Sequence, residues 1–263
     1  MAAPFSLCLL ALALLFGLPP QAAHASACPA TSSSERVHVV YVYDGDTVKL
    51  SDGRRLRIIG INTPELGNED PTTVPLANEA RARLQELINT NNRTLLLQHD
   101  AQHKDHYGRL LAHAFTESGD NVASMLLQQG LATTLVVPPN TWGMQCYQGL
   151  ENDARIDRRG VWGLPAYQSR PARGLPPDTK GYRIVQGHVN DVRESKHNVW
   201  IDLDGPLTLQ ISRKDLPNFD SLASLPGADV EVRGWIRQVE GGLLMSLQHP
   251  AALTIITAQP VRH

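Results

Sequence analysis

The sequence predicts an α+β/all-β protein: a β-barrel carrying helices, followed by a second, small β-barrel. Three observations predict it. The N-terminal half opens with strand-like runs joined by tight Asp-Gly turns, then alternates helical and strand-like segments. A proline-rich stretch over 164–180 interrupts the chain. About five strand-like runs follow it in fewer than 80 residues.

The first run, Arg36 to Tyr43, alternates around Val37, Val39 and Tyr41 and meets Asp44-Gly45, a hairpin signal. Thr47 to Leu50 leads to a second turn at Asp52-Gly53, and Leu56 to Ile61 follows as another β-rich run. These runs make a meander. Ala77 to Asn89 reads as a helix because Ala80, Leu84, Leu87 and Ile88 fall on one stripe. Thr94 to Gln98 and Leu110 to Phe115 are short apolar strands. Val122 to Gln129 is helical and stops at Gly130, and a last helix around Cys146 to Arg159 stops at Gly160.

Pro165, Pro171, Pro176 and Pro177 stand among Ser, Arg and Gly without an apolar period, so 164–180 is expected to be a linker. Beyond it, Tyr182 to Val192, Asn198 to Leu203, Leu207 to Ile211, Asp229 to Val239 and Leu243 to Leu247 read as strands, with turns at Asp204-Gly205 and Gly241-Gly242. Such a module suggests a Greek-key barrel of the oligonucleotide/oligosaccharide-binding (OB) type over 181–257, of unknown role. Its Lys+Arg 7 against Asp+Glu 9 lend it no electrostatic pull on nucleic acid. Tyr182, Trp200, Phe219 and Trp235 are expected inside it, because small barrels need large residues in the core.

Hydrophobic residues at 42% and charged residues at 19% belong to an ordinary globular protein, and a net charge of −2 excludes a strongly basic nucleic-acid binder. Residues 1–27 carry no Asp, Glu, Lys or Arg; Phe5 to Leu18 is nearly all apolar and small residues follow Pro19-Pro20. Ala23-His24-Ala25 and Ala25-Ser26-Ala27 fit a signal-peptidase site, so 1–27 is expected to be a signal peptide and the protein periplasmic or secreted. The apolar run falls short of the ~20 residues of a spanning helix, so no membrane span is expected. Its removal leaves Cys28 and Cys146, which an oxidising compartment would allow to pair. Two separate thiols, or an acyl chain on Cys28, stand as the alternatives.

The chemistry concentrates before residue 110. Asp44 and Asp46 lie two apart at a strand end, where an extended backbone turns both carboxylates to one side. The run from Arg57 ends in Asn62-Thr63-Pro64-Glu65, offering oxygens to a hard cation, for which calcium or magnesium is preferred over zinc. Asp105-His106-Tyr107-Gly108-Arg109 adds a second arginine at the start of a strand. Two arginines, a carboxylate base and an oxygen-ligand metal site suit phosphodiester hydrolysis. His103 and His106 find no third metal ligand at a recognisable spacing, and the sequence holds no Gly-x-Ser-x-Gly, P-loop or dinucleotide motif.

In order and spacing, Asp44 to Thr47, Arg57 to Glu65 and Asp105 to Arg109 resemble the thermonuclease (staphylococcal nuclease-like) family, as do Gly130-Leu131-Ala132 and Gly160 to Gly163. The resemblance covers about Arg36 to Gly163, within a domain expected over 28–163. It implies a five-stranded OB-type barrel with three helices and calcium-dependent cleavage of DNA and RNA to 3′-phosphorylated products. Carried over by motif, Asp46, Asn62 and the Thr63 carbonyl hold Ca2+, while Arg57, Glu65 and Arg109 are catalytic. Asp105 and Tyr107 lie beside the nucleotide. Asn62 replaces an aspartate of the best-known member, which implies weaker calcium binding. The segment after Ala132 lacks the tyrosines that can stack on a base. A catalytically weakened nucleic-acid-binding module is the alternative, and an envelope interaction protein a third.

Overall fold

The computed structural model describes residues 26–31, 35–66 and 73–256. The first domain is a closed barrel of β1 (Glu35–Val42), β2 (Thr47–Leu50), β3 (Arg55–Ile58), β5 (Thr94–Gln98) and β6 (Leu110–Phe115), in the order β1-β2-β3-β6-β5. β3 and β6 run parallel, and β1 closes on β5 antiparallel. Alternate residues point inward, so Val39, Leu50, Leu56, Ile58, Leu95 and Ala112 meet in one core.

The run 56–61, expected to be one strand, is two. At Gly60 the backbone takes φ +87°, and a Cβ there would lie 2.4 Å from the Tyr147 ring. The chain therefore leaves the barrel after Ile58, and β4 (Gly60–Asn62) pairs instead with β7 (Thr133–Leu135), a strand not expected from sequence.

Helix α1 (Val74–Thr90) buries Ala77, Ala80, Leu84, Leu87 and Ile88, the stripe its spacing predicts. Helix α2 (Val122–Gln128) is capped by Asn121, whose side chain accepts Ser124 N–H at 3.1 Å. Its amide nitrogen also donates to the Cys28 carbonyl and the Tyr147 hydroxyl, both at 3.0 Å, tying the N-terminal segment to α3 (Met144–Ile156). Cys28 is disulfide-bonded to Cys146 on α3, with Cα atoms 5.8 Å apart. A crosslink closing so long a loop constrains the unfolded chain by ~4–5 kcal/mol in the chain-entropy account.

The second domain is a ring of β9 (Gly181–Glu194), β10 (Asn198–Leu203), β11 (Leu207–Ser212), β13 (Gly242–Leu247) and β12 (Asp229–Val239), closed by β12 on β9. β11 and β13 are parallel. Strand order and sense repeat those of the first barrel, although the two sequences show no internal repeat. Short strands β8 (Arg170–Pro171) and β14 (Leu253–Ile255) flank the ring.

Residues 164–180 join the barrels but are not a free linker. Tyr167, Ala172 and Leu175 are buried, and β8 pairs with β9. Tyr167 packs with Trp162, Ala154 and Ile184 in a core between the domains, which supplies the burial a solvated linker lacks. Two ion pairs cross the same junction, Arg155–Glu231 at 2.7 Å and Arg233–Glu151. Of the aromatics expected inside the second barrel, Phe219 packs on its core, Tyr182 packs on the junction, Trp200 is half-buried and Trp235 is 47% exposed. The signal-peptide expectation lies, up to residue 25, outside the described residues. Among the described residues no helix is long and apolar enough to cross a membrane.

Candidate active site

The mouth of the first barrel holds a cleft of about 440 Å³ lined by Arg57, Asn62, Glu65, Asp105 and Arg109. Three elements build it. β3 carries Arg57, β4 and the turn after it carry Asn62 and Glu65, and the loop into β6 carries Asp105 and Arg109. Leu135 at the end of β7 and Val137 just beyond it form an apolar wall. Gln102 and Asn140 close one side, with Gln102 N–H donating to Asn140 Oδ1 at 2.7 Å and Asn140 Nδ2 donating to the Gln102 carbonyl at 2.9 Å.

Arg57 is largely buried and held from several sides. Its Nη2 lies 3.1 Å from Asp46 Oδ2 and donates to the Ile61 carbonyl at 2.9 Å and to Asn62 Oδ1 at 3.2 Å. Its Nη1 donates to the Ile58 carbonyl, so the departure of β4 from the barrel is what encircles the guanidinium. Asp46 sits behind the cleft wall, 2% exposed. It accepts Thr63 N–H at 3.0 Å and the Thr63 and Thr47 hydroxyls at 3.2 and 3.0 Å. This contact brings the turn after β1 against the turn after β4. Gly45 permits the approach, since a Cβ there would lie 2.7 Å from both Ala80 and Thr63 side chains.

Arg109 is more open. Its Nε donates to Asp105 Oδ2 at 2.7 Å, while Asp105 Oδ1 accepts the backbone N–H of Tyr107 and Arg109 at 3.0 and 2.9 Å. Burial pushes the Asp105 carboxyl up, but the bonds from Arg109 outweigh it and hold it below the usual range. Tyr107 lies outside the cleft on the rim, 74% exposed, with the Arg109 guanidinium 5.6 Å from its ring centre.

Glu65 is the carboxylate facing both arginines. Burial and the charge of Asp46 push its pKa up, against the pull of Arg57 and Arg109. Asp44 behaves alike: burial, then the charges of Asp46 and Glu65, push it up to about 6. The extended arrangement expected for Asp44 and Asp46 is instead a turn, in which Asp44 Oδ1 accepts Asp46 N–H at 3.0 Å. Crowded carboxylates raise one another's pKa, and a cation between them would relieve that repulsion. Asp46, Glu65, the Asn62 amide and the Thr63 carbonyl offer oxygens, which suit a hard cation. Among the described residues no three His, Cys, Asp or Glu groups converge as a metal cluster. A bound cation would therefore need the Asn62 amide, a backbone carbonyl or water to complete its shell. Asn62 Oδ1 faces Arg57, and its Nδ2 donates to the Thr63 carbonyl at 3.2 Å.

The cleft thus gathers Arg57, Asn62, Glu65, Asp105 and Arg109 at its surface, keeps Asp46 and Thr63 just behind, and leaves Tyr107 at the rim. Sequence reasoning did not assign Asp44 to the site, although the Asp-Gly-Asp turn marks it. The Gln102–Asn140 clasp and the Leu135 wall carry no local sequence signal.

The sequence profile of the staphylococcal nuclease homologue family matches residues 55–163, from β3 through the end of the first domain. The thermonuclease of Staphylococcus intermedius is 30% identical over 125 residues, 46% of this chain and 72% of that protein. The chain belongs to the staphylococcal nuclease homologue family. Among other relatives, endonuclease YncB of Bacillus subtilis (strain 168) is 33% identical over 129 residues, 47% of this chain and 60% of its own length. The SPbeta prophage-derived endonuclease YokF of the same strain is 32% identical over 129 residues, 47% of this chain and 43% of its own. The chain thus spans about half the length of these two Bacillus relatives. The family match ends at Gly163, so the second barrel lies outside it.

Proposed function

We propose that the cleft hydrolyses phosphodiester bonds of DNA and RNA in a calcium-dependent reaction that leaves 3′-phosphorylated products. The observation that carries this reading is Glu65 facing Arg57 and Arg109 across one cleft. The two guanidiniums bind the phosphoryl oxygens and stabilise the charge that grows there during attack. Glu65 orients a water and takes its proton as the water oxygen bonds to phosphorus. The P–O5′ bond breaks, and the leaving oxygen takes up a proton to become a 5′-hydroxyl. A carboxylate whose pKa is raised is a better base than an ordinary one. Asp105 orients Arg109, and Tyr107 at the rim lies beside the nucleotide.

Asp46, Asn62 Oδ1 and the Thr63 carbonyl would hold the calcium. Its chemistry there is Lewis-acid neutralisation of phosphoryl charge. The Cys28–Cys146 bond and the apolar N-terminal run support a periplasmic or secreted protein.

Incubating single-stranded DNA and RNA with the full chain, in calcium or in chelator, tests the proposal. Cleavage in calcium alone, with 3′-phosphate ends, is the expected result. Intact substrate that is nonetheless bound would favour the alternative of a weakened binding module, the reading to which Asn62 lends support.

A further inference from the structure

The second barrel presents an unassigned surface beside the catalytic cleft. Leu135 lines that cleft and also lines a small hollow walled by Tyr182, Trp235 and His249. A chain leaving the cleft over Leu135 therefore meets the second barrel at β12. There Trp235 is 47% exposed, its ring 5.2 Å from Tyr182 and nearly perpendicular to it. Tyr182 supports one edge of the indole and leaves a face open. Arg237, two residues on and so on the same side of β12, is exposed and makes no ion pair among the described residues. Among the described residues its Nη2 reaches only Gln210 Oε1, at 3.5 Å. Gln210 also accepts the Ser246 hydroxyl at 3.1 Å and sits opposite Trp200 across β10 and β11.

An exposed indole with an unpaired guanidinium one residue pair along is the chemistry of single-stranded nucleic acid: a base stacks on the ring and a phosphate meets the cation. The barrel as a whole has more acidic than basic residues, so attraction there is local to Arg237 rather than a general field. The two junction ion pairs and the buried core between the domains hold this face at a set position relative to the cleft.

We infer that Trp235 and Arg237 form a second subsite that holds a single strand of DNA or RNA as it leaves the catalytic cleft. The inference rests on the nuclease reading above for the direction of the strand, but the subsite can be read separately. Its consequence is a preference for substrates long enough to span cleft and barrel.

The test compares kcat/KM for a dinucleotide and for a 20-nucleotide single strand, using the full chain in calcium. Losing one stacked base costs about tenfold in binding, so Trp235→Ala is expected to lower the long-to-short ratio about tenfold, while Trp235→Phe keeps it. Arg237→Ala is expected to flatten the slope of log affinity against log salt for the long strand by about 1. An unchanged ratio in folded Trp235→Ala overturns the subsite, and so does an unchanged salt slope in Arg237→Ala should Trp235→Ala not fold. Should the wild type cut neither substrate, the nuclease reading fails on its own. Anisotropy of a labelled 20-mer then decides the subsite: about tenfold weaker binding by Trp235→Ala supports it, and equal binding overturns it.

Discussion

Glu151 of α3 is ion-paired with Arg233 of β12, and the same carboxylate accepts the backbone N–H of Thr134 at 2.6 Å. Thr134 lies in β7, which pairs with β4 in the register Ile61–Thr134 and Asn62–Thr133. One buried carboxylate therefore connects the second barrel to the strand that carries Asn62. Glu151 is 1% exposed, and a buried charge is costly unless it is paired.

Arg233→Met leaves that carboxylate buried without its cation. Breaking a buried pair from one side costs ~3–5 kcal/mol, and chemical denaturation is expected to show a loss of that size. The double variant with Glu151→Gln removes the charge while keeping an acceptor for Thr134 N–H, and part of the stability should return. A loss below ~1 kcal/mol in Arg233→Met, the range of ordinary surface changes, would show that the pair does not brace the junction.

Arg109→Ala removes a guanidinium that is bonded to Asp105, stands over the Tyr107 ring and lies on the open side of the cleft. Removing one donor to a developing oxyanion costs ~10²–10³ in kcat, and steady-state kinetics should show that loss with little change in thermal stability. Arg57→Ala is expected to behave differently. It also strips the buried Asp46 of its cation, so Tm should fall together with activity. Near-normal turnover in Arg109→Ala would remove that residue from the mechanism.

Asn62→Asp is expected to have opposite effects with and without calcium. The amide now donates to the Thr63 carbonyl, a bond that a carboxylate cannot make. In chelator Tm should therefore fall. With calcium the added charge should lower the half-maximal calcium concentration several-fold. Titration of activity against calcium measures the second effect, and an unmoved midpoint would place Asn62 outside the metal's ligands.

The Asp44 carboxyl, with its pKa pushed up to about 6, sets a pH dependence. Because the folded state binds this proton more tightly than the unfolded chain, Asp44 favours folding fully below about pH 4, and that contribution is lost as pH rises through about 6. At neutral pH the ionised group opposes folding. Asp44→Asn keeps an oxygen for Asp46 N–H and removes the charge. Its Tm in chelator should rise by a few degrees at pH 7.5, and the gain should vanish by about pH 4. An equal gain at both pH values would mean the charge is not its source.

The ring strands of both barrels and the charged residues Arg57, Glu65, Asp105 and Arg109 of the cleft were legible in the sequence because their signals are local. Short strand-like runs such as Thr94–Gln98 and Asn198–Leu203 coincide with observed strands, and the α1 stripe is the buried face. Arg57, Glu65 and Arg109 were marked by residue type and spacing, since a phosphate site needs cations and a carboxylate at strand ends.

Contacts between distant segments were decided only by the tertiary structure. The split of the third strand depends on Tyr147 occupying the space where Gly60 lacks a Cβ. The proline-rich segment is packed because Tyr167 finds Trp162 and Ile184, and the second barrel reaches the site because Arg233 finds Glu151. Trp235 reads as core by its size, yet in β12 it alternates with Val232, Gly234 and Ile236 and shares the outer face with Arg237. Periodicity reports which side of an element is apolar, whereas partnering is set by the packing of whole domains, and that is where the junction, the buried brace and the exposed indole were determined.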